Sequence, residues 1–157
     1  MMPLPPLPLD RSALERLVDR FYADVRADAA LGPLFEAAIG DRWPAHLARM
    51  VDFWCTVMLG SRSFRGDVMA RHLALPVIEA RHYERWLALW TLHTAALFEP
   101  AAAARMQGVA AGIARMVRLA RRRRGLGEAA PVSASIHPAC PSRGARSRRR
   151  ARPACGA

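Results

Sequence analysis

Four stretches of this chain repeat apolar residues at intervals of three and four, and each is closed by glycine or proline. That period lines side chains up on one face of an α-helix. The first stretch carries Leu14, Leu17, Val18, Phe21 and Val25 behind a cap at Asp10 or Ser12, and ends before Gly32-Pro33. The second has Asp41 and Pro44 in its first turn, carries Leu47, Met50, Val51, Trp54, Val57 and Met58, and stops at Gly60. A third begins near Glu79 and carries Tyr83, Trp86, Leu87, Trp90, His93 and Leu97 up to Pro100. The fourth covers Ala102 to about Arg124, with Met106, Val109, Ile113, Met116 and Val117 turned inward. No segment reads as a strand, so the expectation is an all-α domain of four substantial helices and one short one.

The connections are shorter. Leu34, Phe35 and Ile39 belong to a compact connection closed by Gly40, and Ser61 to Asp67 reads as loop. A turn or two around Val68 to Leu73 ends near Pro76, where proline disfavours further helix. A Pro-rich leader occupies 1–9 and the helical domain 10–125, with Gly125 as a C-cap. From 126 to 157 the composition turns to Ala, Ser, Pro and Arg; such a segment buries little apolar surface and is expected to be disordered.

The formal net charge of +11 is unevenly placed. Lysine is absent, arginine and carboxylates balance through Ala114, and beyond it Glu128 is the only acid. A basic binding surface on the folded body would have put that charge among the helices. The three cysteines, Cys55, Cys140 and Cys155, do not make a disulfide framework, and the start lacks the pattern of a signal peptide. The expected compartment is the cytoplasm, with no membrane span, since no apolar run approaches the roughly 20 residues a bilayer requires.

His72 lies on the brief Pro-terminated element, where a neutral imidazole is suited to ligate a metal or haem iron; a structural histidine is the competing reading. His46 shares the stripe 46, 50, 53, 57 with Met50, Phe53 and Val57. It is either a packed histidine with a hydrogen-bond partner or a gate over a cavity. His46 and His72 could face each other across a slot. Tyr22 flanks Phe21, and its hydroxyl needs a partner. Trp86 and Trp90 are i,i+4 neighbours that could wall a pocket, each with one N–H to donate, or could simply be core. With no Cys-x-x-Cys-His motif, any haem would be held non-covalently. His82 and His93 with the acids form no recognisable zinc pattern, and His137, Cys140 and Cys155 would make an incomplete one.

In order and register, Phe21-Tyr22-x-x-Val25-Arg26-x-Asp28, Leu31-Gly32-Pro33-Leu34-Phe35, Trp43-x-x-His46, Phe53-Trp54, Gly60, His72-Leu73-x-Leu75-Pro76 and Trp86-Leu87 resemble the group III truncated haemoglobins. These are small bacterial globins with a two-over-two helical sandwich around haem. The likeness covers about Leu14 to Met116. It implies haem b as cofactor, His72 as the proximal iron ligand, His46 at the distal helix position, and Tyr22 and Trp86 as distal donors. It also makes Phe21, Phe35, Phe53 and Trp54 pocket or core walls. Arg65, Arg71 or Arg81 could pair with haem propionates or remain solvated. Trp90 could approach the haem edge. The Arg-rich extension departs from the compact family domain, as does the short connection before Trp43.

The resemblance implies binding of O2, NO, CO or peroxide by a monomer, with slow O2 release. NO dioxygenase or peroxidase-like chemistry is an extension that needs a separate reductase. Two other classes compete. A helical nucleic-acid-associated protein could act through Arg121 to Arg124 and Arg143 to Arg152, but that tail lacks aromatics for base stacking, so only weak polyanion binding is expected. A helical interaction module without haem would leave the ordered set Tyr22, His46, His72 and Trp86 as coincidence.

Overall fold

The first stripe folds as the spacing predicts. Asp10 caps α1 (Arg11–Ala27), its carboxylate accepting from the Ala13 N–H at 2.8 Å. Leu14, Leu17, Val18, Phe21 and Val25 are completely buried. The structure is a computed structural model and describes residues 5–75 and 77–126. The disorder expected for 126–157 therefore falls, apart from Leu126, outside the described residues.

At Gly32-Pro33 the structure departs from the expected connection. These residues form the first turn of a helix, α2 (Leu31–Ile39). A proline there forfeits nothing, because the first N–H groups of a helix have no intrahelical partner. The Asp28 carboxylate accepts from the N–H groups of Ala30 and Leu31 at 2.9 and 3.0 Å, and from Arg85 Nε at 2.6 Å. The Arg85 bond first, and the Leu31 N–H second, hold this carboxyl at about 2, well below the usual range. Gly32 lies where the start of α2 crosses the end of α1: a Cβ added to it would stand 2.5 Å from the Arg26 carbonyl oxygen. That neighbour is backbone and cannot swing away. Gly32→Ala should therefore cost about 1–3 kcal/mol, read as a lower urea midpoint with unchanged slope; an unaltered midpoint would show that the crossing relaxes freely.

A 3-10 turn (Gly40–Arg42) leads into α3 (Trp43–Leu59), which ends at Gly60 in the left-handed conformation. Asp67 caps the six-residue α4 (Val68–Leu73), accepting from Ala70 N–H at 2.9 Å. A reciprocal cap between Glu79 and His82 starts α5 (Ala80–Leu97), and Pro100 opens α6 (Pro100–Arg123). Helix α1 packs on α3, α5 on α6, and α1 also on α5, so two helix pairs are stacked one over the other. Among the described residues there is no strand, and no helix is long and apolar enough to cross a membrane.

The core divides in two. The larger cluster joins α1, α3 and α5 to the start of α6; the smaller gathers Ile78, Tyr83, Ala114 and Val117 with Met69 and Leu75 beside α4. Leu87 touches both. Two expectations need adjusting. Met116 is 59% exposed, because its neighbour Val117 takes the inward position and adjacent helical residues diverge by about 100°. The leader is partly built into the domain: Leu7 N–H donates to the Leu97 carbonyl at 2.8 Å, and Leu7 and Leu9 pack on the core.

Candidate functional site

Helix α3 presents two adjacent stripes. Trp43, Val51, Trp54, Cys55 and Met58 are buried, whereas His46, Met50, Phe53 and Val57 are half-buried. Residues of similar partial burial recur on α4 at Val68, Met69, His72 and Leu73, and on α5 at Trp86 and Leu87. Apolar side chains on three helices are thus incompletely covered by the protein itself. Helix α4 makes its main packing contact with α6 and none comparable with α3.

Where α1, α2 and α3 meet, Tyr22 is ringed edge-on by aromatic neighbours. Its ring centroid lies 5.1 Å from His46, 5.9 Å from Trp43 and 6.0 Å from Phe35, with Trp43 and His46 5.7 Å apart. The Tyr22 hydroxyl makes no hydrogen bond to another described residue, and burial pushes the phenol well above its ordinary range. His46 Nε2 is buried without a hydrogen-bond partner among the described residues. Burial, with like-charge repulsion from Arg49, His72 and Arg42, lowers the His46 imidazole to about 4. It is neutral at pH 7.

His72 is spent differently. Its Nδ1 lies 2.7 Å from the Val68 carbonyl one turn earlier. A carbonyl only accepts, so Nδ1 carries a proton and Nε2 is the ring nitrogen left for another partner. This is the arrangement that a metal-ligating histidine adopts when its second nitrogen is anchored.

The remaining expected residues sit in two layers. Phe21 is fully buried, 5.2 Å from Trp86 and 4.9 Å from Trp90. Trp90 is stacked between Trp54 at 4.5 Å and Trp86 at 5.7 Å, and its indole N–H donates to the Met106 carbonyl at 3.4 Å. That bond and 1% exposure make Trp90 a core residue. Trp54 is likewise core, whereas Phe35, Phe53 and Trp86 are half-buried. Phe53 also meets Phe64 edge-on at 5.3 Å. Arg71 and Arg65 are exposed, and Arg81 pairs with Glu79 at 2.8 Å. His82 Nδ1 accepts the Glu79 N–H within the α5 cap, and His93 Nε2 meets the Asp24 carboxylate at 2.8 Å, so each has one ring nitrogen committed away from the Tyr22–His46 cluster. No cluster of three or more metal-binding side chains occurs among the described residues.

Two residues were given no place at the site from the sequence. Trp43 walls the Tyr22 cluster, with its N–H held by Glu36 at 2.8 Å and the Arg26 guanidinium 4.7 Å above its ring. Arg121 was grouped with the basic run Arg121 to Arg124 as a possible polyanion contact, yet it is 2% exposed and donates from Nη1 to the carbonyls of His72 and Leu75 at 3.1 and 2.8 Å. The spacing Met106, Ala110, Ala114, Val117, Arg121 could have found it, since Arg121 continues the inward stripe. Open surface clefts beside Arg26 and Glu36, and beside Val77 and His82, hold none of Tyr22, His46, His72 and Trp86.

The low pKa of His46 makes acid stability measurable. Protonation is easier in the unfolded chain, near 6.5, than in the fold, near 4. The contribution is therefore complete above about pH 6.5 and lost as pH falls toward about 4. For a half-buried ring its size is about 1–2 kcal/mol after allowing for solvent screening. Urea melts of the haem-free protein at about pH 7 and about pH 4.5 should show that loss, and His46→Leu should remove it. An equal acid loss in both proteins would assign it to other groups.

No family model matches the chain. It is similar to the group 3 truncated hemoglobin ctb of Campylobacter jejuni, with 34% identity over 85 residues, 52% of this chain and 67% of that protein. The crystal structure of group III truncated hemoglobin from Campylobacter jejuni superposes with a TM-score of 0.63 at 28% identity, covering 70% of this chain and 92% of that one.

Proposed function

Because the chain belongs to the group III truncated haemoglobins, we propose that it holds haem b non-covalently through His72 and takes small ligands such as O2, NO, CO or peroxide on the side of Tyr22 and His46. The observation that carries this reading is the 2.7 Å contact of His72 Nδ1 with the Val68 carbonyl, which anchors the ring through Nδ1 and leaves Nε2 as its uncommitted nitrogen. The half-buried apolar residues of α3, α4 and α5 fit a flat apolar group, and the buried, unpartnered His46 Nε2 fits a polar ligand beside it. Haem supplies an iron centre that binds diatomic gases and changes oxidation state.

The chain's own residues divide the work. His72 ligates, and its anchored Nδ1 fixes the ring's orientation. Tyr22, kept neutral by burial, donates its hydroxyl proton to a ligand, and Trp86 donates its indole N–H. His46, neutral at pH 7, presents a buried nitrogen as acceptor or donor according to its tautomer. Phe35 and Phe53 exclude water, with Phe21 and Trp54 behind them. Arg71 is exposed and able to meet a propionate. NO conversion at such a site would draw its electrons from a separate reductase.

Reconstitution tests the reading. Full-length protein titrated with haem should reach one equivalent with a strong Soret band, and reduction under CO should shift that band sharply. A spectrum identical to free haem in buffer would overturn it and favour a helical interaction module.

A further inference from the structure

We propose that Arg121 is a positioning residue for His72, pinning the short helix that carries the ligand to the body of the protein. This rests on the reading of His72 given above.

Helix α4 has only six residues, and an isolated helix of that length does not hold itself together in water. Its main packing partner is α6, so α6 decides where His72 sits. The contact has an apolar part, in which Met69 and Leu75 join Val117, Ala114 and Ile78. Its polar part is Arg121. One guanidinium nitrogen reaches the His72 carbonyl at 3.1 Å and the Leu75 carbonyl at 2.8 Å, at the C-terminal end of α4. The His72 carbonyl lies in the last turn of α4, where a helix concentrates partial negative charge, and Leu75 lies just beyond the Ala74 C-cap.

His72 is consequently constrained from two sides. Its ring is tethered through Nδ1 to Val68, at the start of α4, and its backbone is held by Arg121 at the end. Removal of the first tether lets the ring turn; removal of the second lets the whole helix shift. A solvated arginine would not serve, because water would compete for the carbonyls, but this side chain is 2% exposed. The three arginines that follow it are exposed, which marks Arg121 off from the rest of the run.

Hydrogen exchange on the haem-free, full-length protein separates this role from general stability. Arg121→Gln should raise amide exchange at His72, Ala74 and Leu75 by about tenfold or more, with the buried amides of α1 and α5 unchanged. Arg121→Lys, able to reach one carbonyl, should fall between the two. On the haem-loaded proteins, the iron–histidine stretching band should shift or broaden in Arg121→Gln and recover in Arg121→Lys. Equal loosening of all helices, or unchanged exchange in α4, would overturn the proposal. Should Arg121→Gln fail to fold, the lysine variant decides alone: exchange matching wild type throughout α4 counts against the pin. If wild type itself shows no iron–histidine band while α4 exchange still responds, the His72 reading fails and the pin stands.

Discussion

His72→Ala should abolish the native axial-ligand spectrum and weaken haem retention by more than about 100-fold. The lower bound follows from what outer partners alone are worth: losing a group that merely orients a metal ligand typically costs about 10- to 100-fold, and losing the ligand costs more. The fold should survive. His72 is half-buried, and α4 keeps its apolar contact with α6 and its Arg121 bonds, which go to backbone carbonyls and not to the imidazole. Far-ultraviolet circular dichroism of the variant should match wild type, so loss of haem would report ligation and not collapse. Added imidazole should restore a histidine-like ferrous spectrum, because the substitution opens space for a free ring. Haem transfer to a competing apoprotein measures retention, and an unchanged spectrum and transfer rate would remove His72 from the ligand role.

The helical frame was readable because it obeys one rule. Leu14, Leu17, Val18, Phe21 and Val25 share a face, and a face that apolar must be buried wherever α1 packs. The same rule missed α2. Gly32 and Pro33 break a helix in its middle but suit its first turn, and sequence alone does not say which turn a Gly-Pro pair will occupy. Asp28 was the available clue, since an Asx residue three positions before Leu31 can take its N–H. Arg121 was not separated from the basic run that follows it, because its burial depends on the carbonyls of His72 and Leu75, remote in sequence.

The candidate site was legible in a different way. Tyr22, His46, Trp43 and Phe35 come from three helices, and no local period brings them into contact; only the ordered resemblance proposed the grouping that involves Tyr22 and His46. The geometry adds which nitrogens and hydroxyls are committed. His82, His93 and Trp90 have partners, whereas Tyr22 Oη and His46 Nε2 have none among the described residues. That separation of committed from uncommitted polar groups is invisible in a sequence.

Tyr22→Phe should accelerate O2 release by about 10- to 150-fold. The estimate is the worth of one hydrogen bond to a ligand that has gained negative charge, about 1.5–3 kcal/mol, expressed as a ratio of affinities. Most of it should appear in the off-rate, as affinity differences between related complexes usually do. Phenylalanine preserves the edge-on contacts of the Tyr22 ring with His46, Trp43 and Phe35, so packing changes little. No described residue depends on the hydroxyl, so its removal strands no internal partner. Because burial raises the phenol pKa, Tyr22 remains a donor throughout the neutral and mildly alkaline range, and wild-type release should show no alkaline acceleration from this group. Trp86→Phe provides the comparison: its indole N–H is the other donor, so the double variant should release faster than either single one. Stopped-flow mixing of the O2 complex with excess CO measures all four rates. A Tyr22→Phe rate equal to wild type would leave the donor role to Trp86 or His46.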